Sequence, residues 1–273
     1  MIEYYVIRPP EVIAGFVRQF WVLEGIVGEE EPFVHRALAD SCPEFLFYFK
    51  GTFKRIVDNK EQKCFQSGIY GQKHSFDQFM VAQDFGIFGV NLYPYAISQL
   101  FQLPTSKISN QGPDLYTLCG KEGSILEEKI MLASNHSERV RFVSEFLVKR
   151  LVHVRNEYAN ITATIRNAIH GKFSDSIDTL ASDCNLSRRQ FERKFREFSG
   201  FSPREFLKIA RFGHIIKNKR DTTRSLTDIS YENGYYDQSH FIRDFRNFSG
   251  YAPKEYFKYA DRSDYRATTE FQV

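Results

Sequence analysis

FERKFREFSGFSPREFLK (Phe191–Lys208) and FIRDFRNFSGYAPKEYFK (Phe241–Lys258) stand fifty residues apart and share ten of eighteen positions. Average composition gives about one such identity. The shared pairs are Phe191/Phe241, Arg193/Arg243, Phe195/Phe245, Arg196/Arg246, Phe198/Phe248, Ser199/Ser249, Gly200/Gly250, Pro203/Pro253, Glu205/Glu255 and Lys208/Lys258. Phe191, Phe195 and Phe198 recur at i, i+4 and i+7, the buried stripe of an amphipathic helix. On a helical wheel Arg189, Arg193 and Arg196 fall opposite, with Glu192 at the edge. Ser187 is placed to cap the helix N-terminus, and Gly200 to end it in the left-handed region. Ser202-Pro203 then opens another helix, serine as cap and proline in the first turn. The second copy repeats this pattern: Phe241, Phe245 and Phe248 face inward, Ser239, Arg243 and Arg246 face outward, and Gly250 terminates.

A short helix precedes each copy, SIDTLASDC (Ser176–Cys184) and SLTDISYEN (Ser225–Asn233), with tight turns at Asn185-Leu186 and Gly234-Tyr235. Short helix, turn, then a helix with an arginine-bearing outer face is the helix-turn-helix arrangement. Between the copies, PREFLKIARFGHIIKNK (Pro203–Lys219) reads as one helix, a rod of roughly 24 Å. Such a rod can hold two reading helices near the ~34 Å of one DNA turn, in successive major grooves. Charge agrees with this. Residues 161–260 hold 18 Lys+Arg against 12 Asp+Glu, while the remainder carries a balance of −3 within a total of +3. A single arginine-faced helix is more simply the solvated surface of an α-bundle, but two equivalent ones point to a polyanion, and to DNA.

GYYDQSHFIRDFRNFSGYAP (Gly234–Pro253), together with Leu180-Ala181, SRRQFERKF, GFSP and Arg211, resembles the C-terminal DNA-binding domain of the AraC/XylS family of bacterial transcription regulators. The likeness spans about Tyr158 to Tyr259. By position it implies base-reading roles for Arg189, Glu192 and Arg193 in the first helix, and for Gln238, Ser239, His240 and Arg243 in the second. Ser187, Arg188, Arg196 and Arg246 complete the expected DNA-contacting set. Arginine paired with guanine and glutamine with adenine are the favoured readouts. Ile242 departs from this polar face, leaving an apolar residue at its edge.

The first half has another texture. FVRQFWVL (Phe16–Leu23), EFLFYF (Glu44–Phe49), TFKRIV (Thr52–Val57), FDQFMV (Phe76–Val81) and FGIFGVNL (Phe85–Leu92) are short strand-like runs bounded by turn residues. They predict a small barrel or sandwich. Helical segments follow at Pro94–Gln102, Ser124–Ala133 and His136–Val154. The last carries Val140, Val143, Phe146, Leu147 and Leu151 on one face, for a partner helix or for the domain's own core. This half resembles the cupin-like sensory and dimerisation domain of AraC-type regulators. The predicted fold class is therefore α+β, a β-barrel or cupin-like domain with helices in front of an all-α domain of two helix-turn-helix units. The expected divisions are 1–134 for the first domain, 135–157 for a helical connector, 158–260 for the DNA-binding domain and 261–273 for a polar tail.

No run reaches the roughly 18 apolar residues of a membrane helix, and the N-terminus MIEYYVIRPPEV lacks the pattern of a signal peptide. The expected location is the cytoplasm, at the nucleoid, with no membrane partner. Cys42, Cys64, Cys119 and Cys184 are scattered and read as packing thiols. His35 and His74 stand alone, without the H-x-H pair of a metal-dependent cupin. No metal, cofactor or catalytic residue is therefore expected. Asp40, Cys42 and Glu44 surround a turn into the most apolar strand, where a ligand could line a barrel mouth. Three classes compete: a DNA-binding regulator, an enzyme with a DNA-targeting appendage such as an alkyl-transfer repair protein, and a regulator whose first domain only dimerises. The repair enzyme needs clustered cysteines, which the spacing does not provide. Expected partners are double-stranded DNA, a small-molecule effector, a second copy of the chain and, for an activator, RNA polymerase.

Overall fold

The computed structural model describes residues 2–27, 32–58, 60–155, 157–173, 176–219, 226–232, 235, 237–260 and 269–271. The first half folds into two sheets. Its strands are β1 (Ile2–Ile7), β2 (Val17–Gly25), β3 (Phe33–Ala37), β4 (Glu44–Lys50), β5 (Lys54–Val57), β6 (Lys60–Lys63), β7 (Ser67–Tyr70), β8 (Asp77–Val81) and β9 (Phe85–Leu92). One sheet runs β1-β2-β9-β4-β7 and the other β3-β8-β5-β6, with antiparallel pairing throughout both. Among the described residues these sheets face one another without closing into one ring of strands. The architecture is cupin-like rather than a closed barrel.

Alternation explains why the central strands are apolar on both sides. Along β4, Phe45 and Phe47 point to one core while Leu46 and Tyr48 point to another. Along β9, Phe88, Val90 and Leu92 join the first core, and Phe85 and Ile87 the second. The second core lies between the sheets, where Phe53, Phe79 and Val81 meet it. The first is closed by helices α1 (Tyr95–Phe101), α2 (Leu115–Cys119), α3 (Lys121–Leu132) and α4 (His136–Val148), which cover the other face of the large sheet. A strand with both faces covered reads as a continuous apolar run.

Of the two uses open to the 136–154 face, the structure takes the second. Val143, Phe146 and Leu147 are buried among Phe20, Phe45, Phe88 and Leu100, so α4 is core of the first domain and offers no apolar face to a twin.

The second half is helical: α5 (Ala159–Ile169), α6 (Ile177–Asp183), α7 (Arg188–Ser199), α8 (Pro203–Lys219), α9 (Leu226–Glu232), α10 (Gln238–Ser249) and α11 (Pro253–Ala260). Its core holds both phenylalanine stripes together with Phe206, Phe212 and Ile215 of α8. Rings of α7 and α10 meet the connecting rod edge-on, Phe195 on Phe206 at 5.4 Å and Phe245 on Phe212 at 5.2 Å between centroids. Three residues of the first domain, Ala39, Tyr93 and Tyr95, are buried in this same core. The two halves are thus packed together. The expected turn at Gly234-Tyr235 falls partly outside the described residues, as does the tail at 261–268 and 272–273. Within that tail, β10 (Thr269–Phe271) pairs in parallel with β1, occupying its otherwise open edge.

Candidate nucleic-acid interface

α7 begins where the sequence places it. Ser187 Oγ accepts the Gln190 N–H at 3.4 Å, and Gln190 Oε1 accepts the Ser187 N–H at 3.1 Å, a complete capping box. Ser187 therefore serves the helix terminus. Arg188 is also committed: its Nε lies 3.2 Å from Glu192 Oε1 and its Nη1 3.3 Å from Asp178 Oδ2, which ties α6 to α7. Glu192 thus pairs with Arg188. Arg189, Arg193 and Arg196 lie exposed on the side away from Phe191, Phe195 and Phe198, with no ion pair among the described residues.

α10 is capped by Asp237, whose Oδ1 accepts the His240 N–H at 2.7 Å. Gln238 Nε2 donates to Thr227 Oγ1 at 3.4 Å, joining α9 to α10 as Arg188 joins α6 to α7. His240 is half-buried and turned inward, 3.4 Å from Asp244 Oδ2, and Lys208 Nζ of α8 reaches the same oxygen at 3.3 Å. Ser239, Arg243 and Arg246 are exposed. Ile242, expected at the reading edge, is partly buried against the helical core. The structure therefore presents one exposed array from each copy: Arg189, Arg193 and Arg196 from the first, Ser239, Arg243 and Arg246 from the second. Asp178, Asp237, Asp244 and Lys208 organise these helices. The sequence shows Lys208 only as a repeat identity and gives no signal for the three aspartates, because all four act through their neighbours in space.

The opposite ends of the two helices dock on the first domain. Gly200 and Gly250 end their helices with φ of +88° and +76°, a left-handed backbone that suits glycine. At the end of α7, Phe198 C=O accepts from Thr105 Oγ1 at 3.1 Å, Gly200 C=O from Ser109 Oγ at 3.2 Å, and Ser199 C=O from Gln72 Nε2. At the end of α10, Phe248 C=O accepts the Ala39 N–H at 2.8 Å and Gly250 C=O accepts Arg36 Nη1 at 3.3 Å. Asn247 Nδ2 donates to His74 C=O at 2.9 Å, and the Arg36 guanidinium lies over the rings of Tyr251 and Phe76, 4.0 and 4.9 Å from their centroids. These are the orphan carbonyls that any helix leaves at its C-terminus, here satisfied from another domain.

The expected ligand residues meet in a second, smaller cluster. Glu44 Oε1 accepts from Trp21 Nε1 at 3.1 Å and Asn91 Nδ2 at 3.0 Å, Arg18 Nη1 donates to Asn91 Oδ1 at 3.2 Å, and Cys42 N–H donates to Asp40 Oδ1 at 3.0 Å. Burial pushes the Glu44 carboxyl up to about 7, with the charge of Asp40 adding to the shift and the Asn91 and Trp21 hydrogen bonds opposing it. Burial likewise pushes the Cys42 thiol up to about 12, against the pull of Arg18. All four cysteines are free, Cys42 and Cys184 buried. Among the described residues no group of His, Cys, Asp and Glu is arranged to hold a metal ion.

A pH dependence follows from Glu44. In the unfolded chain its carboxyl returns to an ordinary 4.5, so folding favours the protonated form. That contribution is complete below about pH 4.5 and is lost as pH rises through about 7. Thermal unfolding at constant ionic strength should show a wild-type midpoint that declines across this window and a flatter profile for Glu44→Gln. Parallel profiles would mean that folding does not shift the Glu44 carboxyl.

The model of a helix-turn-helix domain matches residues 180–259, and that of a domain of unknown function (DUF6597) matches residues 5–114. The HTH-type transcriptional activator RhaS of Escherichia coli O1:K1 is 26% identical over 120 residues, which is 42% of this chain and 43% of that protein. The chain thus matches less than half the length of the curated relatives. ToxT from Vibrio cholerae aligns over 88% of this chain and 97% of its own, at 15% identity and a TM-score of 0.47. A transcriptional regulator with an AraC-type DNA-binding domain from Chromobacterium violaceum aligns over 39% of this chain and 94% of its own, at 23% identity and a TM-score of 0.34. The duplicated helices thus match a helix-turn-helix domain, the β domain in front of them matches the domain of unknown function, and part of the chain is similar to an HTH-type transcriptional activator.

Proposed function

We propose that the chain is a sequence-specific DNA-binding transcription regulator, without catalysis of its own, in which α7 and α10 read successive major grooves. One observation carries this: arginines at repeat-equivalent positions, Arg193/Arg243 and Arg196/Arg246, are exposed on two helix-turn-helix units joined by one rigid rod. Arg189 and Ser239 extend the two arrays toward the helix N-termini, the part of a recognition helix that meets base edges. Arg188, Glu192, Gln238 and His240 brace these helices through their side-chain contacts, and the exposed Arg188, Glu192 and Gln238 stay beside the two arrays on the DNA-facing surface. The regulator acts in the cytoplasm at the nucleoid; among the described residues no helix is long and apolar enough to cross a membrane. Its output is transcription activation, the activity in the name of the relative it matches, and its partner in that role is RNA polymerase. The polar cluster of Asp40, Cys42 and Glu44 is the place where a small-molecule effector would exchange hydrogen bonds with the β domain. A second copy of the chain pairs through the first domain, by a surface other than the buried face of α4.

Arg193→Ala and Arg243→Ala test the reading. Each should weaken binding to a preferred duplex by about 1–3 kcal/mol and relax base preference at one position, with little loss on random DNA. Competition binding of each variant against both duplexes is the measurement. Equal losses on preferred and random DNA would make the two arginines phosphate contacts and sink the assignment.

A further inference from the structure

We propose that the β domain is a spacing clamp: Arg36, Gln72, Thr105 and Ser109 hold the C-terminal ends of α7 and α10 at a fixed separation, and thereby set the spacing between the two DNA subsites the protein accepts. The proposal rests on the reading of α7 and α10 as the DNA-reading helices. Its starting point is the repeat. Gly200 and Gly250 are the same position of a duplicated unit, and both ends are gripped by one neighbouring domain. Donors converge on both sets of terminal carbonyls, Thr105 and Ser109 with Gln72 on the first and Arg36 with the Ala39 N–H on the second. A cation such as Arg36 is also favoured by the negative end of the α10 dipole.

The fit is close. A Cβ added at Gly200 would meet Gln72 Nε2 and Ser109 Oγ, and one at Gly250 would meet Arg36 Nη1 and the Phe76 ring at 2.8 Å, so the clamping side chains would have to move aside. Ser199 and Ser249, both fully buried, lock each turn further: each hydroxyl accepts the N–H two residues on, at 3.3 and 3.1 Å. The clamp works from the far ends of the helices. Arg189, Arg193, Ser239 and Arg243 stay exposed while the domains are docked, so the β domain does not cover the reading faces. This separates a clamp from an inhibitory lid. The rod α8 joins the same two helices from inside. Their separation is therefore fixed by two independent links, and a single link would leave a hinge.

One inserted base pair moves a subsite by ~3.4 Å along the duplex and turns it by ~35°. A rigidly held pair of helices cannot follow that change, whereas a hinged pair can. The experiment uses the full chain. A site is first selected from random duplex DNA with the wild type. Affinity is then measured on that site and on versions with one or two base pairs inserted between its blocks, for wild type and for Arg36→Ala/Gln72→Ala. Wild type should lose roughly 10-fold or more per insertion, as for loss of a subsite contact. The double variant should lose ~3-fold or less, with base preference inside each block unchanged.

Hydrogen exchange at residues 198–201 and 248–251 reports whether the ends have been released. Release with the wild-type spacing penalty retained would show that α8 alone sets the register and overturn the clamp. Tighter binding at every spacing, with the ratios unchanged, would reveal an inhibitory contact and overturn it equally. If circular dichroism shows that the double variant is unfolded, Thr105→Val/Ser109→Ala removes only donors to the end of α7, and the same spacing series decides on it. A wild-type chain that enriches no sequence overturns the DNA reading and the clamp with it. One that enriches two blocks and keeps its penalty after release overturns the clamp alone.

Discussion

Phe195→Ala and Phe245→Ala are each expected to destabilise the chain by about 3–5 kcal/mol, the cost of emptying a buried ring site that cannot collapse. The two residues are the centres of the repeated stripe and are 0% and 1% exposed. Phe195 packs on Phe191 and Phe206 at 5.4 Å. Phe245 has more ring neighbours, Phe212, Phe241, Tyr256 and Phe257, all between 5.2 and 5.7 Å. Its replacement belongs at the upper end of the range. Arg196→Ala, one turn of surface away, should stay within about 0.5 kcal/mol. Urea unfolding followed by far-ultraviolet circular dichroism separates these cases. A loss below ~1 kcal/mol at either phenylalanine would mean that the stripe does not hold its helix to α8.

The second large effect is electrostatic. Affinity for duplex DNA should fall about 10³–10⁵-fold between 50 and 200 mM salt, as expected of a protein making on the order of 6–10 phosphate contacts. The exposed arginines at 196 and 246 supply part of that number, and the basic surplus of residues 161–260 the rest. Arg188 should add little, because its charge is already matched by Asp178 and Glu192. Fluorescence anisotropy of a labelled duplex across a salt series is the test. A flat response would remove DNA as the ligand.

The helical half was legible because one internal repeat states its grammar twice. Phenylalanines at helical spacing, a serine cap and a terminating glycine each have a single local meaning, and α7, α8 and α10 lie where those signals put them. The β half was legible only as short strands. Its apolar runs are the same whether a sheet closes or faces a second one, and only long-range pairing such as β4 on β9 distinguishes the two. The face of α4 was ambiguous for the same reason: a partner helix and the back of a sheet ask for identical residues. The pairing of Arg188 with Asp178 was not legible, because the two lie ten residues apart on different helices, beyond any periodicity argument. The contact of His240 with Lys208, thirty-two residues distant, was hidden for the same reason. The docking of both helix ends left no sequence signal at all. Gln72, Thr105 and Ser109 are ordinary polar residues until the fold sets them against main-chain carbonyls.

Two equivalent helices on one chain that read two segments of duplex DNA should leave a bipartite signature in sequences selected from random duplex DNA by the full chain. Two distinct blocks should be enriched, their centres about one helical turn, ~10 base pairs, apart. Arg193→Ala should blur one block and Arg243→Ala the other. A single enriched block, or a selected pool no different from the starting one, would contradict reading by two helices.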